Sequence, residues 1–347
     1  MMKLIYIAAM TALLVACTKT EYQDVIREVE PEKPSAVHYY YSYKAAEVVD
    51  AVKLGYASDE FIPGSTYIYG DTLFIANTQA KHFSVELYSL STRKKIGSLS
   101  QWTYKDETQV FNNYVEAITV SDGKLFLANI GSCIDVFDVS TLEFVTRMGN
   151  RNWGEGNTQF LHTHAMAIVG DYIVVRMKNR LQVMLKSSVV ADKYQNIPFF
   201  SRGSAAGFDT NNGFYSHQMA VDSLGTIFLA DYGQYGNHKI QVIDTILIKK
   251  GDNIVMTDDQ RTMSLDFNPR GIALYKNMMY ISASDGSIRI YDRKKEKFLQ
   301  TIQSVIGYTF RGAQKMSVKG SRLWVTDVVT KEVVGVDIIQ NVIEEYN

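Results

Sequence analysis

Cysteine is scarce: of 347 residues only Cys17 and Cys133 are cysteine, so an intramolecular disulfide is impossible once Cys17 is modified, and a buried core rather than staples must supply stability. About three hundred residues are ample for that. After Cys17 no apolar run of membrane-spanning length follows, which excludes a bilayer-crossing helix in the rest of the chain. Charge of one sign is also missing. The 36 basic residues balance 37 acidic ones without a Lys/Arg block, which argues against a nucleic-acid partner. Familiar catalytic signatures are absent too. RGSAAG at 202–207 lacks the Gly-x-Ser-x-Gly pattern, and neither a phosphate-binding Walker loop nor a dinucleotide fingerprint occurs. DTNNG at 209–213 has the look of a calcium loop, but without the later Glu and flanking helices it reads as a turn.

What is present begins with MMKLIYIAAMTALLVAC: one cation at Lys3, a largely apolar stretch from Leu4 to Ala16, then Cys17. This predicts a secretory signal over residues 1–16. Leu14-Val15-Ala16-Cys17 resembles a bacterial lipobox, which implies that Cys17 is diacylated and that the membrane is reached through the lipid. Residues 18–35 are polar, charged and carry Pro31 and Pro34, so 17–35 reads as a lipidated Cys and flexible tether. The remainder, 36–347, reads as one folded domain. The expected location is the outer membrane of a Gram-negative cell, on its periplasmic or its outer side.

The body repeats. GDTLFIAN (70–77), DGKLFLAN (122–129), GDYIVVRM (170–177), LGTIFLAD (224–231), KNMMYISA (276–283) and GSRLWVTD (320–327) recur at intervals of roughly fifty residues. An alternating strand precedes each run. A further strand follows, as in CIDVFDV (133–139), KIQVIDT (239–245) and SIRIYDR (287–293), and most copies add a fourth, such as EFVTRMG (143–149). Four short strands per repeat with little helical patterning predict an all-β, six-bladed β-propeller. The last copy is short of strand. The segment 37–55 is available to complete it and close the ring.

One copy carries a finer pattern. FLADYGQYGNHKIQVID (228–244) resembles an NHL repeat through Asn237, His238, Lys239, Ile240, Gln241 and Val242. The chain is thus similar to NHL/YVTN-like six-bladed propeller lipoproteins of the Bacteroidota type. The resemblance implies the fold, and it implies a structural role for His238 in the turn.

Counting back from the repeat anchors Leu73, Leu125, Ile173, Ile227, Met279 and Leu323 reaches the start of each innermost strand: Gly64, Glu116, His164, His217, Arg270 and Gln314. The second strand returns antiparallel and ends at Asn77, Asn129, Met177, Asp231, Ala283 and Asp327. A polar ring at a channel mouth has three readings. It is polar because the channel is wet. It holds a divalent metal, zinc or calcium, through His164 and His217 with Glu116 or Asp231, serving a metal-dependent lyase or hydrolase. It captures a ligand, a glycan or a protein segment, with Glu116, His164, His217, Arg270, Gln314, Asp231, Asp327 and Asn129 beside aromatic loops. Phe111, Phe160, Phe214, Phe267 and Phe310 recur so regularly before the ring that packing between blades is expected of them. Trp153, Tyr114, Tyr215, Tyr232 and Tyr235 escape that objection, and Trp153 and Tyr215 are the expected ligand contacts. Capture by a non-enzyme is the favoured reading, with catalysis by metal as its alternative.

Overall fold

The computed structural model is all-β and describes residues 36–131, 133–149, 159–160, 162–177, 181–189, 199–201, 216–231, 238–243 and 261–345. Strand β1 (Ala36–Val49) precedes the first blade, which comprises β2 (Pro63–Tyr69), β3 (Thr72–Asn77), β4 (Ser84–Ser89) and β5 (Lys94–Leu99). A hairpin, β6 (Gln101–Tyr104) and β7 (Glu107–Val110), leads to the second blade: β8 (Val115–Ser121), β9 (Lys124–Asn129), β10 (Cys133–Asp138) and β11 (Phe144–Met148). The third is β12 (Ala165–Val169), β13 (Tyr172–Arg176), β14 (Leu181–Leu185) and β15 (Phe199–Ser201); the fourth is β16 (Ser216–Val221), β17 (Ile227–Asp231), β18 (Lys239–Ile243) and β19 (Thr262–Ser264). The fifth is β20 (Pro269–Tyr275), β21 (Met278–Ala283), β22 (Ile288–Asp292) and β23 (Lys297–Ile302), followed by the small hairpin β24 (Ser304–Val305) and β25 (Tyr308–Thr309). The sixth has β26 (Ala313–Lys319), β27 (Arg322–Asp327) and β28 (Glu332–Glu345), and β1 is its outermost strand, in the order β1-β28-β27-β26. Six four-stranded antiparallel sheets make a six-bladed β-propeller, and the chain's first strand completes its last blade. The two hairpins between blades have no counterpart in the repeat, which is why period analysis passes over them.

Closure is reinforced by charge. Glu47 of β1 is buried; it accepts hydrogen bonds from Tyr88 Oη at 3.0 Å and Lys53 Nζ at 2.5 Å, and pairs with Arg93 Nε at 3.1 Å. Burial first, and then the bond to Glu47, push the Tyr88 phenol well above its ordinary range. Val52–Leu54, expected to be strand, form a 3-10 turn instead, closed by Gly55 at φ 77°. The chain divides into two compact units, Tyr43–Ile339, which holds the propeller, and Met1–Ser42 with Gln340–Asn347. In the second unit Asn341 Nδ2 donates to Ser42 Oγ at 3.0 Å.

The apolar cores lie between blades. Phe74, Val85, Leu125 and Leu127 pack blades one and two around Phe111; Ala128, Ile134, Met166 and Val175 pack blades two and three around Phe160. Phe267 joins the cluster between blades four and five. Phe111, Phe160 and Phe310 are buried. The repeated phenylalanine is therefore an inter-blade wedge, as its regular spacing predicts; Phe214 lies outside the described residues. Each blade buries both faces against neighbours, so the second strand reads as a near-continuous apolar run rather than a clean alternation.

Tight turns join the inner strand to the second strand. Asp122 and Gly123 both adopt positive φ, 50° and 71°, the left-handed pair that matches strand twist in a two-residue hairpin loop. Lys276 reaches φ 52° at the equivalent turn without glycine. The carboxylate that ends the third strand folds the next turn: Asp138 Oδ1 accepts from the backbone N–H of Ser140 at 2.8 Å and of Thr141 at 3.0 Å, and Asp292 does the same for Lys294 and Lys295.

Candidate functional site

Each ring position falls at the first residues of an inner strand. In five blades the register slips there, between Pro63 and Thr66, Val115 and Ala117, Ser216 and Gln218, Pro269 and Gly271, and Ala313 and Met316. Gly64, Glu116, His217, Arg270 and Gln314 are thus bulge residues, and a bulge re-aims the side chains on either side of it. In the third blade His164 lies just before β12, its N–H donating to Arg176 O at 2.9 Å. Trp153 and Tyr215 lie outside the described residues, as do Tyr232, Tyr235, the lipidation site Cys17 and the side chain of His217.

Beyond the bulges the six inner strands enclose a cavity of about 370 Å³. Strand pairing sorts its lining into layers. Ile68, Ile168, Val221, Leu274 and Val318 face the repeat anchors across the hairpins and form an aliphatic rim. One residue earlier stand Tyr67, Thr119, Ala167, Ala220, Ala273 and Ser317, and small side chains dominate this layer. Next come Thr66, Ile118, Met166, Met219, Ile272 and Met316, and at the bulge end Ser65, Gln218 and Glu116. The rim residues are half-buried, whereas Ser65, Glu116, Ala165 and Lys315 at the far end are buried. The cavity therefore runs from the ring toward the C-terminal ends of the inner strands. Among the described residues expected at the site, only Glu116 lines it; His164, Arg270 and Gln314 do not.

The floor is a cross-brace. Lys315, one residue past the ring position of blade six, reaches Glu116 of blade two, with Nζ 2.8 Å from Oε1 and also donating to Glu116 O. Their side chains are 5% and 11% exposed, so each charge needs the other. Gln218 of blade four binds two further blades: Oε1 accepts from Ile272 N at 3.1 Å and Met316 N at 2.9 Å, and Nε2 donates to Met316 O. Gly271 is required where these strands converge, since a Cβ there would strike Gln314 O and Gln218 Oε1. Thr66 Oγ1 and Ser317 Oγ share a hydrogen bond of 3.0 Å across blades one and six.

The second-strand ends have backbone work. Asn129, fully buried, donates to Asn113 O at 2.9 Å and accepts from Gly131 N at 2.7 Å. Asn77 accepts from Ile62 N and Gln79 N, both at 3.1 Å. Asp327 accepts from Arg311 N at 2.8 Å and from Val329 N at 3.1 Å. These residues tie the loop entering each blade to the turn leaving the second strand, with no solvent-facing surface on Asn77, Asn129 or Asp327. Asp231, 7% exposed, accepts from Gln241 Nε2. Buried Arg176 has its pKa lowered to about 10 by desolvation, which the charge of Asp231 opposes. His162 and His164 stack, ring centroids 5.8 Å apart at 21°, with His162 in left-handed backbone at φ 53°. Among the described residues no three His, Cys, Asp or Glu are grouped as a metal site would group them, and no helix is long and apolar enough to cross a membrane. His238 holds the fourth blade's outer strand, its C=O accepting from Leu265 N at 2.8 Å. Lys315, Gln218 and Arg176 were missed from sequence. Lys315 and Gln218 each stand one residue past the ring count, where the bulge moves the register, and Arg176 stands one residue before the counted strand end Met177 in a blade whose first two strands pair without a slip.

No family model matches the chain, and no curated protein does. Solved structures do. The β-propeller domain of Cps50 (Swd1) from Myceliophteria thermophila superposes with a TM-score of 0.54 at 9% identity, covering 86% of this chain and 100% of that one. A structural-genomics protein of unknown function from Bacteroides thetaiotaomicron gives 0.56 at 11% identity, covering 87% and 77%. At such identity the likeness is one of fold: the chain is built as these propellers are.

Proposed function

We propose that the protein is an exported, lipid-anchored binding propeller that captures a ligand in its central channel without chemical conversion. The observation that carries this reading is the cavity, a concave space of about 370 Å³ whose lining mixes polar and apolar surface, held by strands from all six blades. The lipobox-like Leu14-Val15-Ala16-Cys17 and the polar stretch 18–35 support an anchored, tethered body. Of a glycan and a protein segment, the walls favour the segment. Sugars want exposed aromatic faces, yet Phe111, Phe160 and Phe310 are spent between blades, and among the described residues Tyr67 is the single ring in the lining. Glycan and peptide arrays probed with the soluble body identify the ligand, and titration against a cavity-filling variant, Ala220→Phe, locates it. Retention of full affinity by that variant would place capture elsewhere.

A further inference from the structure

Strand β28 pairs with β27 from Glu332 to Asp337; its later residues, from Gln340 on, belong with the β1 residues up to Ser42 to the smaller of the two compact units. The strands of that unit form a two-stranded ribbon, in which Asn341 bonds Ser42, and two strands alone are marginal in water. Rings and an aliphatic side chain stand out from it: Tyr39 is 61% exposed, Tyr40 50% and Val342 51%. Neither AVHYYYS at 36–42 nor QNVI at 340–343 contains Lys, Arg, Asp, Glu or Pro, the residues that commonly defend an open sheet edge. Ile306 covers the outer edge of β1 at Tyr43 and Ala45, its N–H donating to Tyr43 O at 3.2 Å and its C=O accepting from Ala45 N at 2.9 Å. Among the described residues no strand covers that edge from Tyr39 to Ser42. We propose that the ribbon seats in the headgroup layer of the lipid bilayer that carries the anchor. This deepens the reading of the protein as lipid-anchored and rests on it.

Position in the chain names the occupant. Ala36, where β1 begins, follows Cys17 across the segment 18–35, a reach of no more than about 70 Å at full extension. A lipidated Cys17 therefore keeps the ribbon beside the bilayer at high local concentration. The side chains fit the same surface. Tyrosine joins an apolar ring to a polar tip and collects at membrane–water interfaces. Alternation along the strand sends Tyr39 and Tyr40 to opposite faces; a fluid layer closes round both, whereas the surface of a folded partner covers one. The backbone sets the depth, since an open strand edge is excluded from hydrocarbon but finds water and headgroup oxygens at the interface. Glu344 and Glu345 follow in β28; they oppose deeper entry and offer anionic lipid no attraction, so seating rests on the rings rather than on charge.

Hydrogen–deuterium exchange of the full mature chain tests it. The chain is coupled through Cys17 to maleimide-bearing phosphatidylethanolamine in dioleoylphosphatidylcholine vesicles and compared with the same chain, its Cys17 thiol capped, in solution; Cys133 is buried, so coupling goes to Cys17. The backbone amides of residues 39–42 and 340–342 should exchange at least about tenfold more slowly on the vesicles, at high salt as at low, and with few chains per vesicle as with many. Tyr39→Ser/Tyr40→Ser and, separately, Val342→Asn should bring these amides back toward their solution rates while the amides of β21 and β27 keep theirs. Unchanged exchange on coupling, or protection that survives both substitutions, overturns the proposal. Protection that fades as the chains are diluted on the vesicles, or that arises in solution as concentration rises, assigns the ribbon to a second copy of the chain and overturns it as well. Because the coupling is chemical, a negative result removes the ribbon contact alone; lipid labelling of Cys17 in cells decides the anchor itself.

Discussion

Replacing Glu47 with Ala should loosen ring closure by an amount set by burial rather than by the number of ion pairs. The carboxylate serves three donors. Lys53 and Arg93, 43% and 61% exposed at their side chains, return to water when it goes, so their loss contributes no more than about 1 kcal/mol together. Tyr88 is fully buried, and its hydroxyl would lose the bond to Glu47 Oε1 where water does not reach, costing about 1–3 kcal/mol. The expected sum is about 2–4 kcal/mol. Glu47→Gln, which keeps an acceptor, should cost only about 1 kcal/mol. Glu47→Ala/Tyr88→Phe should be less destabilised than the two single changes added, because no orphaned hydroxyl remains. Urea unfolding of the mature body followed by tryptophan fluorescence and circular dichroism measures all four. A cost below about 0.5 kcal/mol for Glu47→Ala, or equal costs for Ala and Gln, would show that this carboxylate does not hold the closing strand.

Phe160→Ala, emptying a wedge with no exposed surface, should lower stability by about 3–5 kcal/mol. Trp153→Ala and Tyr215→Ala, by contrast, should weaken capture of an array ligand by about 1–3 kcal/mol while leaving the melting temperature unchanged, and thermal melts beside titrations separate the two roles. Cys17→Ser should abolish lipid labelling and membrane fractionation of an otherwise folded protein; persistent labelling refutes the anchor. Added zinc should not raise the melting temperature, and elemental analysis of chelator-free protein should find no stoichiometric metal; a shift lost in both His164→Ala and His217→Ala would instead establish the metal reading.

Architecture was legible because it repeats. Six runs such as GDTLFIAN and GSRLWVTD fix the second strands, and the missing strand after VVGVDII pointed to 37–55 as the closing piece, now β1 in the sixth blade. The site was legible only in part. Counting back from Leu125 or Ile227 assumes an unbroken register, and a bulge adds a residue without changing the composition of the strand. Glu116 was found, whereas its partner Lys315 stands one residue past the counted Gln314. Sequence likewise gives no sign that Asn129 and Asp327 turn inward to bond backbone, since an Asn ending a strand looks the same facing loop or ligand. The layers of the cavity, however, were there to be read: Ala167 and Ala273 stand six residues before their anchors, Ala220 stands seven before its own in the blade that carries an extra residue, and three alanines at the same level of a ring leave a space.

Isothermal titration of the best array ligand into the wild type and into Ala220→Phe tests the central claim most directly. Ligand capture in the central channel predicts at least about a tenfold loss of affinity in the filled variant, the direct cost of denying a group its cavity, at an unchanged melting temperature. Equal affinities for a folded Ala220→Phe would contradict it.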